Sequence, residues 1–186
     1  MFYPIIFGNG DLNYSPLSFT DINTCDGDGI AIDLRLKANY YDPFILSMAI
    51  VTRTQSSGTI FQHHEYSNKI SISWTSDSKL EFQLSNTNLD CCNGAVEEGI
   101  NMHMTDVLSE NQIYHVDLIY DGVKCKFHLN GKLIGSEMDC SNGFESISTS
   151  PQLCSSSSDS SVTRKKRSVG WNGSVMNVKF QELKCK

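Results

Sequence analysis

The sequence has seven cysteines, yet no pair of CxxC motifs of the kind that hold structural zinc. No apolar run approaches the roughly 20 residues that span a bilayer, which argues against membrane insertion. The opening MFYPIIFGNG has no basic leader and is broken by Pro4, so it makes a poor signal peptide. Such a chain is either a piece of a longer secreted protein or an intracellular one. Positive charge is also scarce. Lys and Arg number 15 against 21 Asp and Glu, a formal net charge of -6, and the one basic run is Arg164, Lys165, Lys166 and Arg167. Nucleic acid and anionic membrane, which are bound through concentrated Lys and Arg, are therefore not the expected partners. There is no Gly-x-Ser-x-Gly elbow, no HExxH helix, no phosphate-cradling glycine loop and no internal repeat.

Period-two strands fill the chain instead of period-3.6 helices. In HVDLIYDGVKCKFHLNGKLIGS, from His115 to Ser136, apolar residues alternate on either side of Asp121-Gly122 and Asn130-Gly131. Those dipeptides supply the positive φ angles of tight hairpin turns, so the stretch predicts a β-meander. Val123, Cys125, Phe127 and Leu129 share one expected face, and Lys124, Lys126 and His128 the other. Further strands are expected over GIAIDLRLKA (Gly29 to Ala38), FILSMAIVTR (Phe44 to Arg53), GTIFQHHE and WNGSVMNVKFQEL. KISISWTSDSKLEFQLS predicts a second hairpin with Ile70, Ile72 and Trp74 on one face of its first arm and Leu80, Phe82 and Leu84 on one face of its second. Asn86 to Gly99, polar and glycine-bearing, reads as a loop. With 186 residues, the chain suits a single domain over 1–186, carrying a Ser-rich basic insertion at about 154–168.

The cysteines, Cys25, Cys91, Cys92, Cys125, Cys140, Cys154 and Cys185, are unpatterned, as in an oxidising compartment; seven reduced thiols in a cytosolic protein are the alternative. Because the count is odd, one thiol stays free or pairs with another chain. Cys125, inward on its strand, is the expected free one, acting as a small buried hydrophobe.

IYHVDLIYDGVKCKFHLNGKLIG resembles the central meander of the laminin G-like and pentraxin-like jelly rolls. SGTIFQ with KISISW resembles the earlier strands of that fold, and WNGSVMNVKF its closing strand. The resemblance covers most of Gly29 to Phe180. It implies an all-β, concanavalin A-like jelly-roll sandwich of two antiparallel sheets, used as an extracellular module that recognises glycans or proteins, often with calcium at the rim. In calcium-binding laminin G-like domains two acidic side chains hold the ion; the matching positions here are Asn68 and Asp139, only one of them a carboxylate, which implies a weakened site. Bridges near the C-terminus are common in the family. Cys154 and Cys185 are therefore expected to pair, leaving Cys25, Cys91, Cys92 and Cys140 as the other half-cystines.

Other motifs have plainer readings. CDGDG, with Asp26 and Asp28, lacks the full calcium-loop spacing and reads as a turn. His63 and His64 are adjacent on a strand, so they point to opposite faces and do not share an ion; with His103 they read as surface or core histidines. Trp74 belongs with Ile70 and Ile72 in the core, rather than stacking on a sugar with Tyr66. Glycoside hydrolases on this fold need two carboxyls facing across the bond; LEFQL offers only Glu81 and AIDLRL only Asp33. Asn13-Tyr14-Ser15 and Asn172-Gly173-Ser174 are N-glycosylation acceptors. The run from Arg164 to Arg167, flanked by serines, resembles a proprotein-convertase site, with a nuclear signal or a solvated charge run as alternatives. The expected function is an extracellular ligand-binding or adhesion module, non-catalytic and part of a larger secreted or surface protein. A glycoside hydrolase or lyase on the same fold, and a structural domain packing within its parent chain, are the alternatives.

Overall fold

The computed structural model describes residues 21–27, 32–33, 42–53, 57–65, 68–88, 97–140, 150–155 and 170–183. Among them lie twelve strands and no helix: β1 (Ile22–Asp26), β2 (Ile32–Asp33), β3 (Phe44–Thr52), β4 (Gly58–Glu65), β5 (Asn68–Trp74), β6 (Leu80–Asn88), β7 (Glu97–Met104), β8 (Ile113–Tyr120), β9 (Lys124–Leu129), β10 (Lys132–Asp139), β11 (Gln152–Leu153) and β12 (Asn172–Glu182). They form two six-stranded sheets, the first in the order β1-β12-β3-β8-β9-β10 and the second in the order β2-β11-β4-β5-β6-β7. Every pairing is antiparallel.

The expected meander is β8-β9-β10. Asn130 and Gly131 turn its second hairpin with φ of 50° and 81°, the double positive φ that an Asn-Gly pair accommodates. At the first turn, Asp121 Oδ1 accepts from the backbone N–H of Val123 (3.0 Å) and Lys124 (2.7 Å). That turn absorbs Val123, which is 54% exposed instead of inward; the alternation starts one residue later, with Cys125, Phe127 and Leu129 buried. The second hairpin pairs Ile70 with Leu84, Ile72 with Phe82 and Trp74 with Leu80, and all six side chains are buried. Between the sheets, Phe82 stacks on Phe127 at 4.4 Å between centroids, a contact contributing about 0.5–1.5 kcal/mol beyond its area. Trp171 is buried beside β12 and donates its indole N–H to Thr52 Oγ1 (3.1 Å). A Cβ on Gly173 would run into the Trp171 ring and the Val51 carbonyl, so glycine is required there.

One local expectation changes. Asn86 to Gly99 is not all loop: β6 runs on to Asn88 and pairs with β7 from Glu97, with Asn86 opposite Gly99. β7 (EEGINMHM) has too few apolar residues to alternate, as an edge strand allows. β11 is only two residues long, below any periodic signal. Of Gly29 to Ala38, only Ile32 and Asp33 fall among the described residues.

The disulfides differ from expectation as well. Cys154 bonds to Cys25, not to Cys185, with Cα atoms 5.7 Å apart, and Cys125 is not free but bonds to Cys140 at a Cα separation of 5.9 Å. Both separations lie in the usual disulfide range. Topology sets both pairings. β1 edges the first sheet and β11 lies near the same side of the second, which brings Cys25 and Cys154 together. After β10 the chain turns back, Cys140 N–H donating to the Val123 carbonyl (2.8 Å), which lays Cys140 against inward-facing Cys125. Of the seven cysteines these bonds use four, leaving Cys91, Cys92 and Cys185 (7 − 4 = 3), all outside the described residues, to include the odd one.

Candidate functional site

Strand alternation turns the polar residues of the second sheet outward and, because the pairings are in register, lines them up. Asp33 of β2 lies opposite Gln152 of β11, Gln152 opposite Gln62 of β4, Gln62 opposite Ser71 of β5, and Ser71 opposite Gln83 of β6. Their neighbours Phe61, Ile70, Ile72, Phe82 and Leu84 point into the core. The row crosses five strands, so it spans about 19 Å, four interstrand spacings. Gln152 Nε2 donates to Asp33 Oδ1 (3.2 Å), and Gln62 Nε2 to Gln152 Oε1 (3.0 Å). Further along, Ser71 Oγ (3.4 Å) and Lys69 Nζ (3.1 Å) both donate to Gln83 Oε1. The chain of bonds orients each amide. It leaves Gln62 Oε1 as an acceptor and Gln83 Nε2 as a donor, on either side of Ser71, with no partner among the described residues. Matched acceptors and donors fixed on a sheet are what a polyhydroxyl ligand needs, since each sugar hydroxyl both donates and accepts.

The outward face of the first sheet is charged. Ser47 of β3 donates its hydroxyl to Asp117 Oδ1 of β8 (2.6 Å), and Asp117 stands opposite His128 of β9. Packed among these neighbours, Asp117 is only 4% exposed although it faces outward. Along β9, Lys124 and Lys126 grip Glu137 of β10 at 3.1 and 2.6 Å. Those two ammonium groups, Lys126 first, hold the Glu137 carboxyl below its usual range. His115, two residues before Asp117 on the same face, has its imidazole pKa lowered by burial, which the Asp117 charge partly offsets.

Asn68 and Asp139, the expected calcium residues, lie at the same end of the sandwich but in different sheets. Asn68 begins β5 opposite Glu65, whereas Asp139 ends β10, an edge strand, opposite Lys124. No group of three or more His, Cys, Asp or Glu side chains among the described residues is placed to hold a metal ion. His63 is buried and His64 exposed, on opposite sides of β4; His103 packs against Gly135 of β10. Trp74 is buried in the core. Glu81 is on the outer face of β6, and Asp33, on the same side of the sheet, lies four strands away from it. Asn172 opens β12, and two residues on, buried Ser174 accepts from Arg53 Nη2 (2.9 Å). Asn13 and the basic run from Arg164 to Arg167 lie outside the described residues.

The amide row escapes a linear reading because its members come from five strands spread over the chain. One part is within reach of the sequence: pairing KISISW with KLEFQL about their shared turn places Ser71 opposite Gln83.

Neither a family model nor a curated protein matches this chain. Solved structures do. A pentraxin from Limulus polyphemus is 14% identical, with a TM-score of 0.55 over 88% of this chain and 76% of its own. Domains LG4-5 of the mouse laminin alpha1 chain are 13% identical, with a TM-score of 0.58 over 89% of this chain and 42% of theirs. A Trypanosoma rangeli sialidase is 10% identical, with a TM-score of 0.51 over 77% of this chain and 22% of its own. The chain thus has the concanavalin A-like jelly-roll fold, shared with the pentraxin, the laminin domains and part of the sialidase. At these identities the likeness extends to the fold alone.

Proposed function

We propose that this chain is an extracellular recognition module that holds a glycan on the outer face of its second sheet and does not transform it. The observation that carries this reading is the bonded row Asp33–Gln152–Gln62 and Ser71–Gln83, which orients an open acceptor and an open donor about a central serine. Neutral hydrogen bonds contribute about 0.5–1.5 kcal/mol each, so several in a line give the modest affinity suited to a module that engages repeating sugars. The two disulfides fit an oxidising compartment. Glycosylation at Asn13 and Asn172 and convertase cleavage after Arg167 belong to the same extracellular proposal, as does residence in a larger secreted or surface protein.

The test is a glycan array probed with the wild-type protein, Gln62→Ala and Gln83→Ala, with calcium and with chelator. Binding that each substitution weakens roughly fivefold, the scale of one neutral hydrogen bond, supports the ladder, and chelator should leave it unchanged. Equal binding by all three proteins removes the ladder from the site. Release of reducing sugar from a bound polysaccharide replaces the module with a glycoside hydrolase.

A further inference from the structure

The outward face of the first sheet has a balance of charge that the glycan reading does not use. Strand pairing places Lys124, Lys126 and Lys179 on this face, along with Asp117, Glu137, Asp139 and Asp26 of β1, and Arg53 joins them through its bond to outward-facing Ser174. Four cations against four carboxylates leave it neutral near pH 7 (4 − 4 = 0). His115 and His128 lie among them, with Asp117 opposite His128 and two residues along the strand from His115. On the side of β3 the same face presents Ser47 and Ala49, which carry no charge; beyond β3 it presents Ser174 with the Arg53 guanidinium bound to it, Met176 and Lys179 of β12, and then Ile22, Thr24 and Asp26 of β1. On the side of β10 it presents Leu133, Glu137 and Asp139. These two histidines are therefore the groups on the face, among the described residues, whose ordinary titration falls between about pH 5 and pH 8.

We propose that this face is an acid-gated binding surface for a sulfated polysaccharide, neutral near pH 7 and doubly cationic once His115 and His128 are protonated. Charge complementarity selects the occupant. A sulfate ester keeps its charge through the mildly acidic range, whereas a carboxylate begins to lose charge as the histidines gain it. The acid gain belongs to the histidines and not to Glu137, which is gripped by two lysines that keep it ionised. Protonating His115 and His128 also takes the formal charge of the chain from -6 to -4 (−6 + 2), which relaxes the long-range repulsion of a polyanion. Because burial depresses the His115 pKa, the full response lies toward pH 5 and not at the usual imidazole midpoint.

Heparin serves as the probe, with affinity measured by calorimetry at about pH 5 and about pH 7.5 at fixed low ionic strength, where surface charge is least screened. Wild-type protein should bind roughly fivefold tighter at the acidic pH, the scale of two exposed ion pairs. His115→Gln with His128→Gln should bind as wild type does at the higher pH and lose the acid gain, and each single variant should keep about half of it. Should the double variant fold poorly by circular dichroism, the single variants carry the comparison. Lys126→Gln should weaken binding at both pH values and leave their ratio unchanged. Equal affinity at the two pH values, an acid gain that persists without the histidines, or tighter binding to phosphatidylserine vesicles than to heparin would each overturn the proposal. Val107→Ser, at an exposed position between β7 and β8 that belongs to neither face, serves as the control and should leave heparin binding unaltered at both pH values.

Discussion

Replacing Cys25 and Cys154 together by alanine should destabilise the domain more than replacing Cys125 and Cys140 together. The first bond joins residues 129 positions apart in sequence, the second residues 15 apart. With the entropy of loop closure growing as the logarithm of loop length, the long bridge constrains the unfolded chain by about 5 kcal/mol and the short one by about 3 kcal/mol. Side-chain terms nearly cancel in the comparison, since all four cysteines are buried and each variant loses two sulfurs. The gap of about 2 kcal/mol corresponds to roughly 4–8 °C in Tm for a domain of this size. Urea melts without reductant give the same comparison as ΔG. They add the m-value, which should rise more when the long loop is released, because more surface becomes exposed on unfolding. Equal destabilisation by the two pairs, or a larger loss from Cys125 and Cys140, would refute the chain-entropy reasoning and assign the stabilisation to native-state packing around the bridges.

Gly135→Ala should lower stability by roughly 1–3 kcal/mol in a urea melt, because it combines a φ of 69° with a Cβ that would meet His103 ring atoms at 2.5–2.9 Å. A neutral Gly135→Ala would mean that the His103 ring swings clear and that β7 and β10 are not tightly packed there. Trp171→Phe removes the indole donor to Thr52 Oγ1 and should cost about 1–3 kcal/mol through the unsatisfied hydroxyl; Thr52→Val in the same background should recover part of it, and no recovery would place the loss in packing alone. For His115, the folded pKa lies below the unfolded value of about 6.5. The unfolded chain therefore binds more protons in the intervening window, and stability should fall as pH drops from about 6.5, less steeply in His115→Gln. Asp77, held at about 2 by Lys79 and then Thr75, contributes stability that is present above its unfolded pKa and lost only as pH falls toward about 2; an Asp77→Asn melt profile that parallels wild type between pH 4 and pH 2 would contradict this.

The meander and the second hairpin were legible because each strand there has one buried face and a turn whose chemistry is local. Asp121-Gly122 and Asn130-Gly131 announce themselves, and Phe82 and Ile72 alternate with polar residues. Elsewhere the deciding contacts are far apart along the chain. β7 is polar, and only its pairing with β6 makes it a strand. The pairing of Cys154 with Cys185 was expected from a family resemblance, and it failed because the sheets bring Cys25 beside Cys154. The amide row was hidden for a related reason: Gln62, Gln83 and Gln152 look individually like solvent-facing residues, and their alignment exists only in the register. Asp117 shows the converse, since alternation marks it as outward while its neighbours bury it.

β12, the last strand to be made, lies between β1 and β3 in the first sheet. Asp21 and Asn177, which meet there, are 156 residues apart in sequence. During synthesis β1 therefore has no neighbour in its sheet, and β3 presents an open row of backbone donors and acceptors, until nearly the whole described chain has been made. At about 5–20 residues per second, that interval lasts on the order of ten seconds. Throughout it the half-built sheet has a vacant slot one strand wide. The slot accepts the chain's own β12 or, where copies are made close together, the β12 of a neighbouring nascent copy. Nothing in the hydrogen-bond ladder distinguishes the two donors, so the length of the intervening chain and the local concentration of copies decide between a monomer and a strand-swapped pair.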